Sequence, residues 1–487
     1  MQLSRRSFLG TSAAMAAVSV LTPDVVRAAA ALARASNWEL ATADVAGDIA
    51  PRRLELVHGR VPQGLKGTLY RNGPAQFRRP GRSSDHWFDG DGMVRRWNIE
   101  DGQVELTARF ADTPKRRQEE EAGAMLMPGF GTLPDPRARI GSADDASPAN
   151  TSVHKVGDKI WALWEAGSPL EMDAVTLETK GFVTLRPDLK AMPFLAHPRI
   201  EPDGTIWNLG VARGKAIVWH LAADGSLRDT GMIDLPMASY IHDFTATQRH
   251  LVILLQPWVQ TRNTLPLSQA FEWLPEQGGK VLVIDKDDLT KQRVFEIAAF
   301  GFFHVGDAWE EADGTIRFDV AAHKDMMFAA QGAQEVLNGV PLHHEPAEMA
   351  MVVLGSDGLG RLERTGVVGE FPRSDPRRAG LSRRFSVHTT GERAGRPLAT
   401  AIGVTDWSSG RTRSFDFGEN HVVDEMVYVP KAGSSAEADG WLIGPTVNLE
   451  KGVSELHILD MAHIQDGPVC TWRADVALPA AFHGNWV

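Results

Sequence analysis

Short apolar runs punctuated by turn residues recur along this chain. They include KIWALWEA from Lys159, TIWNLGV from Thr205, HLVILLQPWV from His250, KVLVIDK from Lys280, TIRFDVAAH from Thr315, AMVVLGS from Ala350, WLIGPTVN from Trp441 and ELHILD from Glu455. Each has the length and the β-branched or aromatic content of a strand. Between them stand the steps Asp101-Gly102, Asp203-Gly204, Asp224-Gly225, Asp313-Gly314, Asp357-Gly358 and Asp439-Gly440, the pairs that favour tight hairpins. The pattern predicts an all-β protein, but no clean repeat recurs at a propeller period, so it does not give the number of sheets.

A chain of 487 residues would ordinarily divide into two or three domains, yet no long Pro/Gly/Ser linker or charge run separates halves here. A propeller removes the conflict, because each added sheet brings its own share of core around one axis. The formal net charge is −11 and no basic stripe is present, which disfavours nucleic-acid binding. Cys470 is alone, so no internal disulfide forms. At the amino terminus SRRSFLG, with Arg5 and Arg6, precedes the apolar stretch TSAAMAAVSVL and an alanine-rich zone from Ala28 to Ala35. The run is too short to span a membrane, and residues 1–36 read as a twin-arginine signal that directs export to the periplasm. A second apolar segment, Ala122 to Pro134, is rich in Met and broken by Gly and Pro. It fits either a buried connection or an apolar lip touching a membrane.

Four histidines lie in distinctive phrases spread over nearly three hundred residues: His197 in LAHPRI, His242 in YIHDFT, His304 in FFHVGDAWEE and His483 in AFHGNWV. Ligands so far apart in sequence would be delivered by separate sheets onto one central metal, unlike the close spacing of a zinc finger or zincin. Imidazoles alone suit zinc, copper, iron or nickel. Eleven others read as core or surface groups: His58, His154, His220, His250, His323, His388, His457 and His463, with His421 beside a motif and the pair His343 and His344 in an exposed loop.

The ordered phrases LYRNGP from Leu69, HWFDGDGMV from His86, LWEAGSPLEMD from Leu163, GEFPRSDPR from Gly369 and EMVYVP from Glu425, together with the histidine phrases, resemble the carotenoid cleavage oxygenase family. The resemblance runs from about Pro51 to Val487 and implies one domain over 37–487. It implies a seven-bladed β-propeller with a loop and helical cap over the active-site face and one non-haem Fe(2+) per chain, held by His197, His242, His304 and His483. Glu165, Glu370 and Glu425 would then hold three of the histidines and leave His197 without a carboxylate, which suits a dication that four neutral imidazoles do not compensate. Asp307 and Trp309 depart from the family's usual phrase beside His304.

The chemistry implied is addition of both atoms of dioxygen across a carbon–carbon double bond, giving two carbonyl products, with no general acid or base assigned. The expected substrate is an apolar polyene, an apocarotenoid or carotenoid. Two alternatives stand beside it, a stilbene-cleaving dioxygenase of the lignostilbene type and a polyene or retinoid isomerase or binding protein. Stilbene-cleaving members carry a tyrosine about eighteen residues after FDGDG and a lysine further along as phenol anchors. This chain has Phe110 there and no lysine between Lys115 and Lys155, which favours the polyene.

Overall fold

A computed structural model describes residues 37–340, 344–393 and 395–487; the segment 1–36 expected to be an export signal, and His343, fall outside them. The chain forms seven antiparallel blades. Blade 1 joins Gly67–Gln76, Asp91–Glu100 and Gln103–Phe110; blade 2 begins at Ser152–Val156, blade 3 at Arg199–Ile200, blade 4 at Thr245–Ala246, blade 5 at Gly301–Val305, blade 6 at Glu370–Arg373 and blade 7 at His421–Val423. Each first-named strand of blades 2 to 7 is the innermost of its sheet. In blade 1 that place is taken by His483–Trp486, which pairs Asn72 with His483 and Leu69 with Trp486. The ring is thus closed by a strand drawn from the far end of the chain.

Continuous apolar runs arise because a blade is buried on both faces. In Gly279–Asp285 of blade 4, Val281 and Val283 pack toward blade 5, while Leu282 and Ile284 pack toward blade 3. Period-two side-chain alternation therefore feeds two seams from one strand. The seam between blades 5 and 6 differs. Its apolar cluster is small, Trp309, Met351 and Val353 with Trp407 against it, and it also holds a buried pair of Arg383 with Asp319. The Arg383 guanidinium lies 5.4 Å from the Trp309 ring centroid. Trp309 is therefore a seam residue.

All eight apolar runs lie in strands, although HLVILLQPWV breaks at Pro257 into His250–Leu255 and Trp258–Gln260, which belong to different sheets. Asp101-Gly102 is the tightest of the expected turns, with φ of 48° and 73°, as a two-residue hairpin of the favoured twist requires. Asp439-Gly440 does not turn. Gly440 opens the strand Gly440–Asn448, and a Cβ there would lie 2.3 Å from the Tyr428 ring, so close packing is what demands glycine.

The helix Pro114–Ala122 starts the cap. Thr113 caps it by accepting from the Arg116 N–H, and Gly123 ends it in the left-handed conformation. Lys115 Nζ sits 2.7 Å from both Asp91 Oδ1 and Glu119 Oε2, and Glu119 Oε1 accepts the N–H groups of Leu126 and Met127, both at 2.9 Å. These contacts draw Ala122–Pro134 inward. Met125, Leu126 and Met127 are buried, as in a buried connection, and Leu133 is the segment's exposed large apolar side chain. Among the described residues no helix is long and apolar enough to cross a membrane.

Candidate metal centre and cavity

The seven blades supply seven side chains to one point near the axis. Histidines come from blade 5 (His304), the latch strand of blade 1 (His483) and the loops entering blades 3 and 4 (His197, His242). Glutamates come from blade 2 (Glu165), blade 6 (Glu370) and blade 7 (Glu425). One candidate ligand atom from each of the four histidines lies within 4.8 Å of all the others.

Each of three imidazoles turns Nδ1 to a carboxylate: His242 to Glu165 at 3.2 Å, His304 to Glu370 at 2.6 Å and His483 to Glu425 at 3.1 Å. Their Nε2 atoms are thereby left to face inward. His304 Nε2 is buried without any hydrogen-bond partner. The Nε2 atoms of His197 and His242 are 3.0 Å apart, which matches adjacent ligands on one metal, since bonds of about 2.1 Å at right angles put two nitrogens about 3 Å apart. A buried orphan acceptor and two converging nitrogens fit a metal ion better than they fit a closed hydrogen-bond network.

Electrostatics act differently on the individual imidazoles. Burial, and then the neighbouring histidines, hold His197 well below its ordinary range, and burial pushes His483 down to about 3. Burial also acts on His242, but Glu165 outweighs it and raises that ring. Burial opposes ionisation of Glu370 and Glu425, yet His304 holds the first below the usual carboxylate range and Arg373 holds the second well below it. Imidazoles with carboxylates behind them are the donor set that a divalent cation requires.

Several supports were not legible as site residues. Tyr240 donates its hydroxyl to Glu165 Oε1 at 2.8 Å, the same oxygen that faces His242. His323, expected to be an ordinary core group, places Nε2 3.1 Å from Glu370 Oε1 and belongs to the site. Glu425 is gripped by Arg373 through Nε at 2.6 Å and a second nitrogen at 3.1 Å, and by Arg71 at 2.6 Å. Those arginines also donate to the carbonyls of Gly484 and Phe482, which brackets His483. Asp243 takes Arg199 at 2.6 Å and the Val305 N–H at 3.0 Å, tying the strands beside three ligands. Arg71, Asp243 and Arg373 stood inside the phrases LYRNGP, YIHDFT and GEFPRSDPR, so position in those phrases was the available signal; His323 had none.

Asp307 accepts from Ser374 at 2.5 Å and lies 3.4 Å from Arg199, holding the chain after His304. Beside these contacts His304 keeps Nδ1 2.6 Å from Glu370. Phe371, a non-glycine residue at φ 57°, stacks on His304 with centroids 4.8 Å apart. Such backbone strain persists where surroundings over-determine it. His421 lies apart from the centre, with Nε2 3.5 Å from Glu455. His344 is half-buried and lines the cavity mouth, which corrects its reading as an exposed loop residue.

A cavity of about 460 Å³ opens onto His242, His304 and His483, its walls largely apolar, with Trp87, Phe88, Phe130, Phe303, Phe328 and Phe482 among them. Its size falls within the usual range for small-molecule sites. Phe110 is not in this wall. It is buried in the seam between blades 1 and 7 with Arg116 3.8 Å over its ring, so the expectation that this position reads out the substrate class is corrected.

The chain matches the description "Retinal pigment epithelial membrane protein" over residues 42–487. It is 28% identical to isoeugenol monooxygenase of Pseudomonas nitroreducens over 91% of this chain and 97% of that protein. It is 29% identical to lignostilbene-alpha,beta-dioxygenase isozyme III of Sphingomonas paucimobilis, with the same shares covered, and 29% identical to apocarotenoid-15,15'-oxygenase of Synechocystis over 89% of this chain and 92% of that one. Cobalt-substituted Synechocystis apocarotenoid oxygenase superposes with a TM-score of 0.82 at 25% identity, covering 93% of this chain and 98% of that one. On the extent of that match, and on a seven-bladed ring with four histidines at its axis, this chain belongs to the retinal pigment epithelial membrane protein family.

Proposed function

We propose that this chain is an iron(II) dioxygenase that cleaves a carbon–carbon double bond of an apocarotenoid into two carbonyl products. The observation that carries the reading is the convergence of His197, His242, His304 and His483 at an aromatic cavity, three of them backed by Glu165, Glu370 and Glu425. Four imidazoles would hold the iron and leave neighbouring positions open, and iron so bound supplies the redox chemistry that lets dioxygen react with an alkene. The chain's own residues do the rest. Aromatic walls hold a flat conjugated substrate and exclude water, and the glutamates fix the rings through Nδ1. Both oxygen atoms end in product, so the balance needs no reductant: one alkene and one dioxygen give two carbonyls.

A stilbene substrate is the second reading. The burial of Phe110 away from the cavity removes one of the two grounds for disfavouring it, and the identity to the lignostilbene enzyme equals that to the apocarotenoid enzyme. Incubating the iron-loaded protein with apocarotenals and hydroxystilbenes under labelled dioxygen tests both. Label in both fragments at short times, and no turnover without oxygen, is the expected result. Product formed without oxygen would replace the dioxygenase by an isomerase or hydrolase.

A further inference from the structure

The carboxylates facing the metal-side half of the cavity are all engaged. Glu165 accepts from Tyr240, Glu370 faces His304 and His323, and Glu425 meets Arg71, Arg373 and His483. Glu392 is different. It is half-buried, lines the same cavity, and no described residue gives its carboxyl a hydrogen bond.

Its position is fixed. Glu392 sits in the loop joining Phe385–Thr390 to Ala401–Asp406 of blade 6. Gly391 precedes it at φ 88°, where a Cβ would lie 2.4 Å from Thr400 Oγ1, so glycine is required to set the loop's exit. Arg393 and Arg396 exchange main-chain hydrogen bonds at 3.1 and 2.8 Å. Their guanidinium groups turn away from Glu392, Arg393 to the Glu419 carboxylate and Arg396 to the Glu419 and His421 carbonyls. The adjacent cations are therefore engaged by the neighbouring segment Glu419–His421.

A half-buried carboxyl on the cavity wall with no protein partner is free to pair with a polar group that enters the cavity. Burial, with the charge of Glu370 added, pushes Glu392 up to about 8, so at neutral pH it presents both an O–H donor and a carbonyl acceptor. We propose that Glu392 is the polar anchor of the cavity, binding a neutral hydroxyl or carbonyl oxygen at one end of a conjugated, otherwise apolar substrate. This rests on the functional reading above and narrows it: an oxygen-ended apocarotenoid or a hydroxystilbene is taken, and a pure hydrocarbon polyene is not favoured.

The test separates this from the reaction itself. Binding to the iron-loaded full chain is measured without oxygen by tryptophan quenching, with matched probes: an apocarotenal against the same polyene lacking its terminal oxygen, and 4-hydroxystilbene against stilbene. Glu392→Leu should weaken the oxygenated member of the preferred pair about tenfold, as expected for one hydrogen bond in a dry site, and leave its hydrocarbon counterpart within about twofold. Glu392→Gln, which keeps a donor and an acceptor, should recover most of the loss. Which pair shows the discrimination identifies the source of the oxygen. Equal effects on both members of each pair, no effect on either, or no binding of any probe would overturn the proposal. Turnover with oxygen is scored separately: failure there with discrimination intact removes the dioxygenase and keeps the anchor.

Discussion

Replacing Glu370 by Gln tests the metal centre at its most loaded support. The carboxylate faces His304 Nδ1 at 2.6 Å and His323 Nε2 at 3.1 Å and accepts the Phe371 N–H at 2.6 Å. Glutamine keeps the shape but removes the charge. A hydrogen bond to an ionised group contributes about 1.5–3 kcal/mol and a neutral one about 0.5–1.5, so the His304 contact weakens by about 1–1.5 kcal/mol. The new amide N–H can face His323 if that ring changes tautomer, which avoids a buried donor–donor clash. Because the contact acts through a metal-facing imidazole, the loss should appear as about tenfold weaker iron binding, the lower end of what removing such a partner usually does. Anaerobic competition titration of iron(II) into metal-free protein measures it, with thermal melting as the check on folding. His421→Ala, which removes a ring away from the centre, is the control and should leave iron affinity unchanged. An unchanged affinity in Glu370→Gln, or an equal loss in His421→Ala, would refute the reasoning.

Three further outcomes are expected. His242→Ala should purify folded but without stoichiometric metal or turnover, as metal analysis beside circular dichroism will show. Burial pushes His154 and His457 down to about 3, so below about pH 6.5 the unfolded chain binds protons that the folded chain does not; stability should fall with decreasing pH, and more steeply below about 4.5, where Glu370, Glu425 and Glu455 add carboxyls held low in the fold. Urea melts across that range check it, and flat stability from pH 7 to 4 would contradict it. Arg5 and Arg6, both changed to Lys, should keep the precursor in the cytoplasm if the twin-arginine export we propose is correct, and fractionation followed by blotting reads the result.

The strands were legible because a blade buried on both faces needs uninterrupted apolar runs, and Val281 to Ile284 illustrate why alternation is absent. The number of sheets was not, since the seams are filled by different side chains and one of them combines a small apolar cluster with a buried ion pair. Among site residues the histidines announced themselves, and the glutamates followed through resemblance. His323 and Tyr240 escaped because their roles depend on which carboxylate stands opposite, a property of the ring and not of the local sequence. Phe110 shows the converse error: a position can be marked in sequence and still point into a seam. Asp439-Gly440 shows another, since glycine there relieves contact with Tyr428 and bends nothing.

The strand that closes the ring, His483–Trp486, also carries one of the four histidines. Ring closure joins segments separated by some four hundred residues, Asn72 and His483, so chain entropy opposes it, although only logarithmically with length. A cation held by His197, His242, His304 and His483 would clasp the latch to three other blades, and would do so only when the ring is shut. By mass action the metal then adds RT ln(1 + [M]/Kd) to closure, about 4 kcal/mol at a thousandfold excess over Kd. Metal supply thus becomes a determinant of architecture: starved of the ion, the seam between blades 1 and 7 is where this protein should first come undone.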